Sequence, residues 1–337
     1  MGSEEHAPDR TVLVTGATGY VGGWVVARLL ARGYRVRATV RDLGRGERLT
    51  GSIAEHAPVD ALTLVAADLL KEDGWGAAFD GVDDLVHVAS PVANDTTQDI
   101  VDTARTGVRH VFTAAEKAGV ERIVMTSSLA AATTGHGDRV VDGETWANPS
   151  DSVGDTYARS KTLSERDAWR REAAGRWSLA TILPGLVMGP AVEADAVGSS
   201  AELVRLMLLG KMPALPNLGG LIVDVRDIAD LHVDALAEPG AAGQRLIAGG
   251  DFLWLRDIAL LLRERLGDEA SKVRTRRMPD ALVRLAGRFN PAMAFMAASI
   301  GRRPRVDASR VEELLGWRTR AVEETLLDTA RAILAAR

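Results

Sequence analysis

From Thr11 to Ser128 the chain alternates short apolar runs with longer stretches in which apolar residues recur every three or four positions. TVLVT (11–15), RVRATV (35–40), ALTLVA (61–66), DLVHVA (84–89) and RIVMTS (122–127) are predicted as buried strands. Between them, YVGGWVVARLLARG and TQDIVDTARTGVRHVFTAAEKAG carry helical spacing, and each ends at a glycine. Alternation of this kind predicts right-handed crossovers, hence an α/β protein with a doubly wound parallel sheet covered on both faces.

The second half is less regular. A helix is predicted over roughly 155–174, followed by a sixth strand, SLATIL (178–183). LIVDV (221–225) and QRLIAG (244–249) read as late strands returning to the sheet. Residues 188–220 are rich in Pro, Gly and small side chains, with a helix near 200–210. Residues 251–305 hold two more helices and a basic, methionine-bearing loop. There is no internal repeat and no clean linker. The expected organisation is a sheet core over 10–187, a smaller lobe from 188–220 and 251–305 above the C-terminal edge of the strands, and C-terminal helices over 306–337.

Composition narrows the classes. With 46% hydrophobic and 26% charged residues, the chain resembles an ordinary soluble protein. A net charge of -5 argues against nucleic acid or an anionic membrane as the main partner. The absence of cysteine excludes disulfides, thiolate metal sites and cysteine nucleophiles. The opening MGSEEHAPDR lacks the apolar centre of a signal peptide, and no run is long enough for a membrane span. A cytoplasmic protein, monomeric or homodimeric, is expected.

Gly16, Gly19 and Gly22 form a GxxGxxG between the first strand and the first helix. A dinucleotide needs a tight turn there, close backbone approach to its pyrophosphate and a free helix N-terminus. Gly16, Thr18, Gly19, Tyr20, Val21 and Gly22 are therefore candidate contacts. Arg41 ends the second strand, where an NAD-preferring fold carries an acid for the ribose hydroxyl. A guanidinium there suits a 2′-phosphate, pointing to NADP(H), with Arg45 and Arg48 adding charge and Asp42 opposing it. By position at later strand ends, Asp68 and Leu69 are assigned to the adenine edge. Val88, Ala89 and Ser90 are assigned to the nicotinamide side, and Thr126, in the fifth strand, is a further candidate cofactor contact.

Tyr157 and Lys161 stand four apart in YARSK, on one face of the predicted helix. An ammonium one turn away favours a phenolate, so the phenol is suited to exchange a proton with a developing alkoxide. Ser128, closing the fifth strand, is placed to polarise a carbonyl oxygen. No histidine or carboxylate cluster has metal-ligand spacing, and no metal is expected.

TGATGYVGGW, HVASP, TSS, YARSK, PGLVMGP, DVRDIAD and LGW, in this order, resemble the extended short-chain dehydrogenase/reductases. More closely they are similar to the branch of dihydroflavonol reductases, cinnamoyl-CoA reductases and related carbonyl reductases. The resemblance covers nearly the whole chain and implies a Rossmann-type sheet. It implies catalysis by Ser128, Tyr157 and Lys161, with Lys161 also holding the nicotinamide ribose, and Pro184, Gly185 and Val187 bordering the nicotinamide. His110 aligns with an asparagine used as a proton relay in many members; packing is the favoured role here. LAAATTG after TSS lacks the polar residues of flavonoid enzymes and suits a hydrophobic carbonyl. The expected function is NADPH-dependent, reversible reduction of an aldehyde or ketone. The rivals are a hydroxysteroid-type dehydrogenase, a nucleotide-sugar epimerase and a non-catalytic NADP-binding regulator.

Overall fold

Alternation along β1 (Thr11–Thr15) sets the layers of the molecule. Val12 and Val14 enter one apolar core and Leu13 the other, because successive side chains of a strand point to opposite faces. The computed structural model describes residues 9–90, 100–148, 156–196, 198–289, 297 and 299–336. The further strands are β2 (Arg35–Val40), β3 (Leu62–Ala66), β4 (Asp84–His87), β5 (Arg122–Thr126), β6 (Val140–Val141) and β7 (Ser178–Pro184). After them come β8 (Leu186–Met188), β9 (Gly219–Asp224), β10 (Arg245–Ala248), β11 (Phe252–Trp254) and β12 (Arg305–Val306). The helices are α1 (Tyr20–Ala31), α2 (Gly46–Ala54), α3 (Trp75–Ala78), α4 (Ile100–Ala118), α5 (Ala130–Thr133) and α6 (Thr156–Glu172). Then follow α7 (Ser199–Leu208), α8 (Val225–Ala237), α9 (Leu255–Leu266), α10 (Asp280–Ala286), α11 (Ser309–Leu315) and α12 (Val322–Ala335).

Seven strands pair in parallel in the order β10-β7-β5-β4-β1-β2-β3. β1 lies between β2 and β4, so the winding reverses there and opens a crevice at the C-terminal ends of β1 and β4. Helices α1 and α8 cover one face; α3, α4 and α6 cover the other. The doubly wound α/β expectation holds.

The strand expected at 221–225 does not return to this sheet. β9 sits in a separate three-stranded sheet of order β11-β9-β8. The edge beside β7 is taken by β10, which registers Arg245 on Thr181 and Ala248 on Pro184. β9 instead crosses over the end of β7, close enough that a Cβ on Gly185 would lie 2.2 Å from the Leu221 carbonyl oxygen. Val225, predicted as strand, is the first residue of α8, which no prediction foresaw. Asp224 caps that helix by accepting from the Arg226 backbone N–H at 2.9 Å.

The smaller lobe packs β8, β9, α7 and α9 into a third core, and α12 contributes Leu326 and Ala330 to it. The C-terminal region is thus divided: α12 belongs to the lobe, while α11 sends Val311 into the first core of the sheet. No described helix is long and apolar enough to cross a membrane.

Candidate active site

At the end of β1 the chain turns through Gly16, which has φ of 76°. A Cβ there would meet the backbone of Ala89 at 2.9 Å, so only glycine lets the turn nest against the end of β4. Gly22 is tighter still: its Cβ would lie 2.1 Å from the Gly16 carbonyl oxygen. Gly19 is the N-cap of α1, with no side chain capping the helix and no acid in its first turn. The orphan N–H groups that open α1, at Tyr20, Val21 and Gly22, are left to a ligand. Side-chain-free backbone, an uncapped helix start and the half-buried Thr18 in the turn fit a pyrophosphate. The Tyr20 side chain plays a different part. Its hydroxyl donates to the Gly189 carbonyl at 2.6 Å, and burial raises its pKa well above that of an ordinary phenol. Trp24 Nε1 donates to the Pro190 carbonyl at 2.8 Å, so α1 is tied to the chain leaving β8.

Beyond β2, Arg41 is exposed and has no ion pair among the described residues. The competing Asp42 is engaged locally, its carboxylate accepting from the Gly44 N–H at 2.9 Å. Arg48 is turned elsewhere: its guanidinium lies 3.4 Å from Glu193 and 3.3 Å from Asp195. Asp68 and Leu69 have partners within the protein. The Asp68 carboxylate accepts from the Leu70 N–H at 3.0 Å, and the Leu69 side chain packs in the second core. Val88 packs against the first core, whereas the Ala89 N–H donates to Thr15 Oγ1 at 3.1 Å, holding the ends of β4 and β1 together. Ser90 is half-buried at the limit of the described segment.

Ser128 follows β5 and is buried, its Oγ accepting from the Ala130 N–H at 3.2 Å. That leaves its hydroxyl hydrogen able to donate outward. Ser127 N–H donates to the Ile182 carbonyl and Leu129 N–H to the Pro184 carbonyl, so both neighbours of Ser128 are fixed to β7. Tyr157 is in the first turn of α6 and 43% exposed, while Lys161, one turn on, is only 8% exposed. Full burial, with the Lys161 charge as a lesser cause, pushes the His87 imidazole down to about 3. His87 Nδ1 in turn lies 2.8 Å from Thr15 Oγ1. Gly185 and Val187 lead from β7 into the smaller lobe beside Pro184.

The fold therefore gathers the glycine turn, Ala89, Lys161 and the strand-end serine at one edge. It directs the side chains of Tyr20, Arg48, Asp68 and Leu69 to structural partners. Thr126 is likewise engaged, its hydroxyl 2.7 Å from His232 Nε2. His110 follows the packing expectation: Nδ1 is 2.9 Å from the Leu69 carbonyl oxygen, and the residue lines an outer groove of about 710 Å³ with Trp75, Arg109 and Lys117. Among the described residues no group of His, Asp or Glu is placed to hold a metal. Two residues were not foreseen: Glu165, fully buried below Lys161, and Arg245, its partner at 2.7 Å. The only signals were an acid eight residues after Tyr157 on the same helical face and an arginine opening a buried strand.

The fold and this crevice define a dinucleotide-binding α/β protein. Residues 12–249 match the family model described as the NAD dependent epimerase/dehydratase family, and the chain belongs to that family of extended short-chain dehydrogenase/reductases. It is an NAD(P)-dependent oxidoreductase. It is 36% identical over 267 residues to cinnamoyl-CoA reductase 1 of Oryza sativa subsp. japonica, covering 78% of each chain. It is 32% identical to dihydroflavonol 4-reductase of Zea mays, over 75% of this chain and 73% of that one. Among solved structures, yeast methylglyoxal/isovaleraldehyde reductase Gre2, complexed with NADPH, superposes with a TM-score of 0.78 at 24% identity, covering 96% of this chain and 98% of the other.

Proposed function

We propose that this protein reduces a hydrophobic aldehyde or ketone to the alcohol with NADPH, reversibly, using Ser128, Tyr157 and Lys161. The observation that carries the reading is the buried Lys161, one turn beyond Tyr157 on α6 and felt electrostatically at the end of β4. Bound NADPH supplies the hydride to the carbonyl carbon. Ser128 donates its hydroxyl hydrogen to the carbonyl oxygen and stabilises the charge that develops there. Tyr157 delivers a proton to that oxygen as the alcohol forms, and Lys161 favours the phenolate left behind. The exposed Arg41, with Asp42 engaged at its own turn, supports a 2′-phosphate and hence NADPH over NADH. Reductase relatives that act on phenylpropanoid and flavonoid substrates by name support the carbonyl direction. The apolar lobe over 188–220 and 251–305 is the proposed substrate side.

The test is turnover. Purified protein is mixed with NADPH and a panel of aryl ketones, aliphatic aldehydes and steroids, and cofactor absorbance is followed. Many equivalents of NADPH consumed on at least one carbonyl is the expected result. Binding without turnover across the panel overturns the reading and favours a regulatory dinucleotide-binding protein.

A further inference from the structure

Tyr157, Lys161 and Glu165 follow one another at four-residue spacing along one face of α6. The third residue is fully buried, and its carboxylate gathers donors from β7, from β10 and from the residue that follows β5. Oε2 accepts from Ser127 Oγ at 2.5 Å, just past the end of β5. Oε1 accepts from Thr181 Oγ1 of β7 at 2.8 Å and from Arg245 Nε of β10 at 2.7 Å. Trp169 Nε1, one turn further along α6, donates to Oε1 at 3.3 Å.

Arg245 uses all five of its N–H donors. Besides Nε, one Nη2 hydrogen reaches Glu165 Oε2 at 3.3 Å and the other the Ala131 carbonyl at 3.5 Å. Nη1 donates to the Gly143 and Thr145 carbonyls at 2.7 and 2.6 Å. The guanidinium carbon lies 3.6 Å from the Trp146 ring centroid. A buried ion pair is weak evidence for net stability, since apolar replacements are often as stable. Its distinct property is direction: both Glu165 oxygens and every N–H of the Arg245 guanidinium are engaged, so strand ends, helix and loop hold one mutual orientation.

We infer that Glu165 and Arg245 are positioning residues that lock Ser128 against the Tyr157–Lys161 face of α6, acting through Ser127. The inference rests on the catalytic reading above. The backbone on either side of Ser128 is already bonded to β7. The Ser127 hydroxyl is the link that carries the position of α6 to that strand end.

The decisive comparison is Ser127→Ala against Thr181→Val in the full chain. Each removes one hydroxyl donor from the same carboxylate, but only Ser127 adjoins Ser128. Both variants are expected to lose a similar few degrees of Tm. Ser127→Ala should lower kcat about tenfold or more, the scale of a small misplacement of reacting groups, with KM and NADPH affinity unchanged. Thr181→Val should keep kcat within about twofold, by the same reasoning. Amide exchange over residues 160–165, read without substrate, should rise in Ser127→Ala and not in Thr181→Val. Wild-type kcat in Ser127→Ala, equal losses in both variants, or unchanged exchange in Ser127→Ala overturns the inference. If the wild type turns over no carbonyl while the exchange difference holds, the catalytic reading fails and the clamp stands.

Discussion

A buried hydrogen bond joins His232 of α8 to Thr126 at the end of β5. His232 Nδ1 lies 2.7 Å from the Ile228 carbonyl oxygen, which can only accept, so Nδ1 carries the hydrogen. Full burial keeps the ring neutral, so Nε2 accepts from the Thr126 hydroxyl at 2.7 Å. Burial lowers its pKa from 6.5 to about 4, and burial with Lys161 lowers His87 to about 3. An unfolded chain protonates both rings below about pH 6.5, whereas the folded protein does not. Stability is thus full above that pH and falls as pH drops from 6.5 towards 4, by about 1.4 kcal/mol per pH unit for each ring. Urea unfolding at a series of pH values should show this slope. His232→Asn should lose one ring's share of it, and an unchanged slope would refute the assignment.

Gly22→Ala separates helix propensity from steric fit. Alanine inside a helix is worth about 1 kcal/mol over glycine, yet its Cβ would sit 2.1 Å from the Gly16 oxygen. The overlap wins. Affinity for NADPH, measured by fluorescence titration, should fall at least about tenfold as the turn is displaced, a loss of about 1.4 kcal/mol.

Arg41 and Arg48 should differ in their effect on cofactor choice. Losing a charge-assisted phosphate contact costs about 1.5–3 kcal/mol, so Arg41→Ala should raise KM for NADPH by about ten- to a hundredfold and leave NADH little changed. Arg48→Ala should do less, because that guanidinium already faces Glu193 and Asp195. Kinetics with both cofactors check the pair, and equal losses would contradict the geometry.

Tyr157→Phe removes the proposed proton donor without altering the packing of a half-exposed ring. A fall in kcat of about a hundredfold or more is expected. NADPH affinity should stay within about twofold, since uniform binding is not what is lost. Full activity in this variant would remove Tyr157 from the mechanism.

The parallel strands were legible because burial on both faces makes them continuous apolar runs. The same property misled at 221–225: periodicity reports burial, not which edge is vacant, and β10 takes the place beside β7. The glycine turn was legible because its demand is steric and local. Arg48 was not, since its partner Asp195 lies 147 residues away. Glu165 and Arg245, 80 residues apart, illustrate the same limit. Each looks like an ordinary charged residue until the fold brings strand end and helix together.

The smaller lobe draws its core from β8, α7, β9, α9 and the distant α12. The sheet, by contrast, grows mainly from neighbouring strand–helix units, apart from its late edge strand β10. Contacts between remote segments require large loops to close before they contribute. The core of the lobe is therefore complete only once α12, far along the chain, has closed onto β8, α7, β9 and α9.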